Sequence, residues 1–277
     1  MRWRSVLFVP GNRPDLAAKA TRSSPDAVVI DLEDAVPAAA KADARPLAVE
    51  AVSALVGEGV AVVLRVNPPA TEWFEADTAL LPIDGLAAVI VPKFEFVEDL
   101  AAVTAAVVGA PVIAGLETVR GVVDARSLLT GPVGGCYFGA EDYIVDLGGR
   151  RTPGNAEVAT ARAMVAMAAR LAGVPAFDMI TADFGDHDRF RAEAGQAHDL
   201  GYAGKLCIHP AQVPLANAAF VPSDDEVDRA TRLLAVYDEA VAAGRATVAF
   251  DGAMVDEVVA RQARAVLAVR AATPPPS

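Results

Sequence analysis

Charged residues close several of the apolar runs in this chain. Asp31, Glu33 and Asp34 follow Ala27 to Ile30, Arg65 ends Val60 to Leu64, and Lys93 follows Val89 to Pro92. Glu117 follows Val112 to Leu116, and Asp142 lies just past Tyr137-Phe138-Gly139. An unpaired ionised group is costly to bury, so charges repeated at the carboxyl ends of successive strands imply one shared place where they meet partners, metal or substrate.

Glu117 and Asp142 form the strongest pair. Two carboxylates that leave room for water and ligand oxygens suit Mg²⁺, which keeps part of its hydration and rarely accepts an all-protein cage. The alternative is that Glu117 caps the helix beginning Thr118-Val119-Arg120 and that Asp142 opens another. Asp146 is a further candidate, kept outside the direct metal contacts. Arg65 brings a permanently charged fork, able to hold a carboxylate bidentately or to stabilise an enolate oxygen. Its alternative is an ion pair with Asp31, Glu33 or Asp34, and the two readings are compatible. Those three acids crowd one stretch and are expected to stand behind the reacting groups, orienting Arg65 or water, with simple loop solvation as the alternative.

Other residues carry weaker signals. Arg13 and Lys19 could meet a phosphate, or simply decorate a first helix. Lys41 and Arg45 read as a solvated helix face. His209, in Ile208-His209-Pro210, or its backbone can reach the same mouth from the last strand, the alternative being a structural histidine, whereas His187 and His198 have no metal-ligand spacing and read as structural. Nucleophile elbow, P-loop and Cys-x-x-Cys patterns are lacking, which favours metal-assisted electrophilic chemistry over covalent catalysis.

The elements that would position these groups alternate. Eight short strands are predicted near Ser5 to Val9, Ala27 to Asp31, Val60 to Val66, Ala87 to Val91, Pro111 to Leu116, Gly135 to Phe138, Ala176 to Thr181 and Gly204 to Ile208. Between them, helical spacing runs over Ala38 to Val56, Val97 to Val108, Ala156 to Ala172 and Phe190 to Leu200. Eight βα units without a nucleotide-binding glycine fingerprint predict an α/β fold of the TIM (β/α)8 barrel type, which gathers the strand ends on one face. After residue 222 the pattern changes to a C-terminal helical extension, 223–277. A helix capped at Ser223 runs to about Ala243. A short run Thr247 to Phe250, an Asp251-Gly252 turn, a helix from about Ala253 to Ala271 and a frayed Pro274-Pro275-Pro276 tail follow.

With 277 residues, 53% of them hydrophobic and 22% charged, the chain can bury one large core. Its net charge of −12 argues against a nucleic-acid surface. The two cysteines, Cys136 and Cys207, lie inside strand-like runs and read as reduced and buried, which together with the lack of a signal-peptide pattern predicts a cytoplasmic protein. No run approaches the roughly 20 apolar residues of a membrane span, so no membrane partner is expected.

Taken in order, Arg4 to Asn12, Ile30-Asp31-Leu32-Glu33-Asp34-Ala35-Val36, Leu64-Arg65-Val66-Asn67, Leu116-Glu117-Thr118, Phe138-Gly139-Ala140-Glu141-Asp142, Gly204 to Pro210 and Asp251 to Asp256 resemble the citrate lyase β-subunit-like family, relatives of malyl-CoA and citramalyl-CoA lyases. The resemblance covers nearly the whole chain. It implies a TIM barrel, Mg²⁺ held by Glu117 and Asp142, and an acyl-CoA thioester bound through Arg65, with contacts around Phe8, Lys19, Ile208 and His209. It also implies that Asp256 is a catalytic acid donated to a neighbouring subunit, in a homo-oligomer of the trimer or hexamer type. Arg13-Pro14-Asp15 stands where relatives carry lysines.

The expected reaction is Mg²⁺-dependent cleavage of a 3-hydroxyacyl-CoA, of the malyl-CoA or citramalyl-CoA type, to acetyl-CoA and a 2-oxo acid. Three alternatives remain. The chain could be a citrate lyase β subunit acting on a carrier-protein thioester, an acyl-CoA thioesterase, or a non-catalytic CoA-binding protein.

Overall fold

The computed structural model describes residues 1–107 and 109–272. The chain divides into two compact units, Met1–Phe220 and Val221–Ser277.

The first unit is a closed barrel of eight parallel strands in sequence order. They are β1 (Ser5–Pro10), β2 (Ala27–Asp31), β3 (Val62–Arg65), β4 (Ala88–Val91), β5 (Val112–Leu116), β6 (Val133–Phe138), β7 (Ala176–Asp178) and β8 (Gly204–Cys207). β1 closes the barrel by pairing Ser5 with Lys205. The strands are continuous runs of Val, Ile, Ala and Leu because both faces are covered. Alternate side chains fill the interior: Val6, Val29, Val63, Ala88, Ile90, Ile113, Tyr137, Phe177 and Leu206. The intervening set, among them Leu7, Val28, Leu64, Val89 and Cys136, packs in a second layer between strands and helices. Both cysteines are free and buried.

Period-two alternation carries this interior face to the strand ends, where Phe8, Asp31 and Arg65 continue the parity of Val6, Val29 and Val63. Parallel register sets Asp31 beside Arg65 and beside Pro10. The strand side of the site is thus laid out by register alone.

A buried polar cluster anchors the far side of the barrel. Arg162, on the helix Ala159–Ala172, donates from Nε and Nη2 to the two Asp178 oxygens, each at 3.0 Å. Lys205 points out of the barrel, with Nζ 2.7 Å from Met179 O and 3.2 Å from Asp178 Oδ2. Glu193, on the helix His187–Asp199, accepts from Thr181 at 2.6 Å, Asn155 at 2.9 Å and Arg189 at 2.8 Å, and lies 3.5 Å from Lys205. These contacts supply the counter-charges that make burial of two cations tolerable.

The second unit holds the helix Asp224–Ala242, a hairpin of β9 (Val248–Phe250) and β10 (Ala253–Val255), and the helix Glu257–Ala271. Ser223 and Glu226 form a reciprocal capping box at the start of the first helix. The hairpin turns at Asp251 and Gly252, both left-handed at φ 49° and 80°. Ala253 to Val255, expected as the opening of the last helix, instead pairs antiparallel with β9. The helix starts only at Glu257, because Asp256 is extended and uses its side chain as the cap. Leu233, Tyr237, Val255 and Ala260 form this unit's own core. The proline tail and Val108 lie outside the described residues. Among the described residues no helix is long and apolar enough to cross a membrane.

Candidate active site

The carboxyl ends of β2 and β3 build a clamp around Arg65. Its Nε and Nη2 donate to Asp31 Oδ1 and Oδ2 at 2.7 and 2.8 Å, and its Nη1 lies 2.7 Å from Glu33 Oε2. That last contact is an ion pair whose N–H points off the oxygen, leaving Glu33 Oε2 buried without a hydrogen bond. Phe8 lies under the guanidinium, 4.9 Å from ring centre to Cζ. Asp31 and Glu33 are 1% and 2% exposed, so solvation does not account for them. Asp34 is exposed, as its side-chain exposure of 62% shows.

Electrostatics follow from this packing. Burial works to raise Asp31, but the Arg65 charge and its hydrogen bonds win and hold the carboxyl below its ordinary value. Burial pushes the Glu33 carboxyl up to about 7, against the pull of Arg65 and Lys93. Arg65 stays charged: burial opposes it, and Asp31 more than offsets that burial.

Glu117, 2% exposed, stands two residues past Gly115 and on the same inward parity. Its Oε1 accepts from the Lys93 backbone N–H at 2.8 Å and from the Tyr137 hydroxyl at 2.9 Å. Gly115 makes the second bond accessible, since a Cβ there would lie 2.6 Å from the Tyr137 oxygen. Gly139 lets the next loop close over Glu117, because a Cβ at 139 would overlap Glu117 Oε2 and sit 2.5 Å from its Cβ. Burial raises the Glu117 carboxyl, an effect to which the Asp142 charge adds and which Arg65 and Lys93 only partly offset. Burial and the Glu117 charge keep the Tyr137 phenol protonated, fit to donate. The capping alternative for Glu117 is not what the chain adopts. Thr118 is the cap, with Oγ1 accepting from Gly121 N at 3.0 Å.

Lys93 joins the two halves of the site. Parity along β4 would turn it outward, but its backbone is left-handed, with φ at 48°. Its N–H then meets Glu117, and its Nζ lies 2.6 Å from Glu33 Oε1, 3.4 Å from Asp142 Oδ1 and 3.6 Å from Asp34 Oδ2. Asp142 sits in the first turn of the helix Ala140–Asp146, whose last residue, Asp146, accepts from Val119 N at 2.7 Å. Asp146 therefore ties the Asp142 helix to the Glu117 loop and is spoken for. Sequence reading noted the charge of Lys93 but gave it no role, and missed Tyr137 altogether.

The remaining candidates are placed as follows. Lys19 is exposed and makes no side-chain hydrogen bond or ion pair among the described residues. Arg13 is paired with Asp15 at 2.8 Å. Ile208 is exposed at the end of β8, and its N–H donates to Gln212 Oε1 at 2.8 Å. His209 stacks on the exposed Phe184, centroids 4.7 Å apart, and its Nδ1 accepts from Ala211 N. Lys41 overturns its expectation: it is 6% exposed and makes three hydrogen bonds behind the clamp rather than lying on a solvated face. Arg45 is likewise turned inward, 2.8 Å from the buried Asp77. Asp256 belongs to the second unit, where its Oδ1 accepts from Val258 N and Val259 N at 2.9 and 3.1 Å.

Chemically, the barrel end presents one fixed guanidinium, one ammonium and oxygen-only anionic donors. No cluster of three or more His, Cys, Asp or Glu suited to a metal occurs among the described residues. Glu117 and Asp142, both in contact with Lys93, offer two carboxylates and leave other positions to water and ligand, a donor set that fits Mg²⁺ and not Zn²⁺.

The chain is similar to known proteins over nearly its whole length. The chain is 49% identical over 273 residues to a citrate lyase subunit beta-like protein of Deinococcus radiodurans, covering 95% of this chain and 96% of the relative. It is 35% identical over 277 residues to a (3S)-malyl-CoA thioesterase of Cereibacter sphaeroides, covering 97% of each. Among solved structures, the protein CitE of Mycobacterium tuberculosis, in complex with magnesium, acetoacetate and coenzyme A, matches with a TM-score of 0.83 at 32% identity, over 96% of this chain and 97% of that one. Residues 4–210 match the model of the HpcH/HpaI aldolase/citrate lyase family, so the chain is a member of that family.

Proposed function

We propose that this protein is a Mg²⁺-dependent carbon–carbon lyase that cleaves a 3-hydroxyacyl-CoA of the malyl-CoA or citramalyl-CoA type to acetyl-CoA and a 2-oxo acid. The observation that carries this reading is the guanidinium of Arg65, fixed by Asp31 and Glu33 and joined through Glu33 and Lys93 to Glu117 and Asp142. A permanent positive charge at the same end of the barrel as two carboxylates is what this reading needs, and the contact network supports it.

Glu117 and Asp142 would hold the metal, which supplies polarisation of the oxygen on the carbon being released as the 2-oxo acid. In cleavage the C3 hydroxyl gives its proton to solvent water as the C2–C3 bond breaks, and the bonding electrons pass into the thioester as an enolate. Arg65 stabilises the negative charge that develops on the enolate oxygen, with its orientation set beforehand by Asp31. Asp256 of a neighbouring subunit then delivers a proton to the enolate carbon, giving acetyl-CoA. Phe8, Ile208 and His209 are assigned to substrate contacts on the same rim, with Lys19 beyond them. The donated acid makes a homo-oligomer part of the function.

A second reading, thioester hydrolysis, draws support from the relative named (3S)-malyl-CoA thioesterase. Purified protein with Mg²⁺, offered a panel of 3-hydroxyacyl-CoA esters with both products followed by mass, separates the two. Acetyl-CoA appearing with an equal amount of 2-oxo acid is expected, whereas free CoA with the intact hydroxy acid would replace the lyase by a hydrolase. Glu117→Gln, which keeps size and removes charge, is expected to stay folded and to lose at least about 10³-fold in kcat/KM. Turnover retained in chelated, Mg²⁺-free buffer would remove the metal from the scheme.

A further inference from the structure

Behind the Arg65 clamp lies a buried ammonium that the reaction scheme does not use. Lys41 is the first residue of the helix Lys41–Gly57, and its side chain runs forward under the loop that follows β2. Its Nζ lies 2.8 Å from Leu32 O, 2.9 Å from Glu33 O and 2.7 Å from Asn67 Oδ1. An ammonium has three donors, and all three are used. The Trp73 ring covers it at 4.8 Å.

None of these acceptors is a carboxylate. The ammonium bonds two successive peptide carbonyls and one side-chain amide, so what it fixes is backbone position. The carbonyls belong to the stretch that carries Asp31 and Glu33, the two acids on Arg65. Asn67 lies two residues beyond Arg65 on the β3 side, and its amide also donates to Leu32 O at 3.0 Å. Asn67 is in turn held by Asp77 Oδ2, at 2.8 Å from its backbone N and 2.6 Å from Nδ2, and Arg45 holds the other Asp77 oxygen at 2.8 Å. A closed tie therefore runs from the clamp through Lys41 to the strand that bears the arginine. None of the hydrogen bonds in the tie goes to the Arg65 guanidinium itself.

We propose that Lys41 is a positioning residue for the reaction, fixing the β2 loop so that Asp31 and Glu33 hold Arg65 aimed at the thioester oxygen. A lysine kept only for stability would satisfy its charge against Asp31 or Asp77 directly, as Arg45 does. Lys41 instead forgoes a carboxylate and takes the peptides that set carboxylate direction. The inference rests on the lyase reading for its catalytic consequence, and on geometry alone for its effect on Arg65.

Lys41→Gln, which keeps a polar head and cannot make all three bonds, separates the roles, with Lys41→Met as the apolar comparison of similar length. Three measurements on the full-length protein decide. The Arg65 Nε–H, donated to Asp31, is expected to give a resolved, slowly exchanging nitrogen-coupled proton signal in the wild type and an averaged one in both variants. Mn²⁺ affinity, read by electron paramagnetic resonance, is expected to fall less than kcat does, since Glu117 and Asp142 meet the clamp only through Lys93 and Glu33. On the acyl-CoA substrate kcat is expected to fall about 100-fold with KM little changed, the size of effect that follows from a misdirected group at the reacting centre.

An unchanged Arg65 signal in a folded variant overturns the proposal, and so does a kcat within twofold of wild type. Loss of the signal together with an unfolded circular dichroism spectrum in both variants also overturns it, in favour of a purely structural lysine. If wild-type protein turns over no thioester while the Arg65 signal responds as expected, the lyase reading fails and the tie between Lys41 and Arg65 stands.

Discussion

Gly139 shows how little freedom single positions around Glu117 retain. A methyl group there has no room beside Glu117 Oε2 and Cβ, and the carboxylate cannot retreat without giving up the bonds from Lys93 N and Tyr137 OH. Gly139→Ala is therefore expected to displace the carboxylate and weaken Mn²⁺ binding about 10- to 100-fold, the range typical when the support of a ligand is disturbed. A titration of the variant that overlays the wild-type curve would show that Glu117 does not hold the ion. At this scale the charged side chains at strand ends were legible in the sequence, because an Arg or Asp inside a run of Val and Ile has no other inexpensive explanation. Lys41 was not legible. A lysine near a helix start reads as solvated, and only the fold reveals that two loop carbonyls face back toward it. Lys93 was half legible: its charge was evident, but parity pointed it outward, and the left-handed turn that reverses it leaves no mark in a non-glycine residue.

The elements on the side opposite the Arg65 clamp are held by charge as much as by apolar packing. Glu193 receives hydrogen bonds from Thr181, Asn155 and Arg189 and faces Lys205. Burial works to raise it, but Lys205 and those bonds outweigh burial and hold its carboxyl down to about 2. A carboxyl with a lowered folded value binds fewer protons folded than unfolded, so it adds stability above its ordinary value of 4.5, and that contribution fades as pH drops toward 2. Thermal unfolding followed from neutral pH downward should show the wild type losing Tm below about pH 4.5. Glu193→Gln should start lower and fall less steeply. Parallel curves for the two proteins would mean that Glu193 gains nothing from its ionised state. The strands and helices that this cluster joins were visible as apolar periodicity, whereas the cluster was not, since Arg162, Asp178, Glu193 and Lys205 are far apart in sequence and lie on four different elements. Strand ends shifted by up to three residues from expectation: β3 starts two later, at Val62, β7 ends three earlier, at Asp178, and β6 starts two earlier, at Val133. Ala253 to Val255 was misread because a three-residue apolar run carries no period, and the Asp251-Gly252 turn before it was the better guide to a hairpin.

For the whole molecule the decisive question is whether the reaction needs more than one chain. Asp256 spends Oδ1 on capping the helix Glu257–Ala271, and Oδ2 has no hydrogen bond among the described residues, so the acid is fixed in direction with one oxygen left for a partner. Asn is as good a helix cap as Asp, so Asp256→Asn keeps the helix start and removes only the acid. Under the proposed scheme Asp256→Asn and Glu117→Gln are each inactive alone, for different reasons. Mixed in one oligomer, an Asp256→Asn barrel retains Glu117 and can receive the acid from a Glu117→Gln neighbour. With equal amounts, random assembly and one donor per site, about one quarter of the sites are complete. Co-expression of the two variants with distinct tags, tandem purification and assay should therefore recover a substantial fraction of wild-type activity. If the mixed oligomers form and stay as inactive as their parents, the acid serves its own chain or none. Full activity of Asp256→Asn alone would assign the proton to another group.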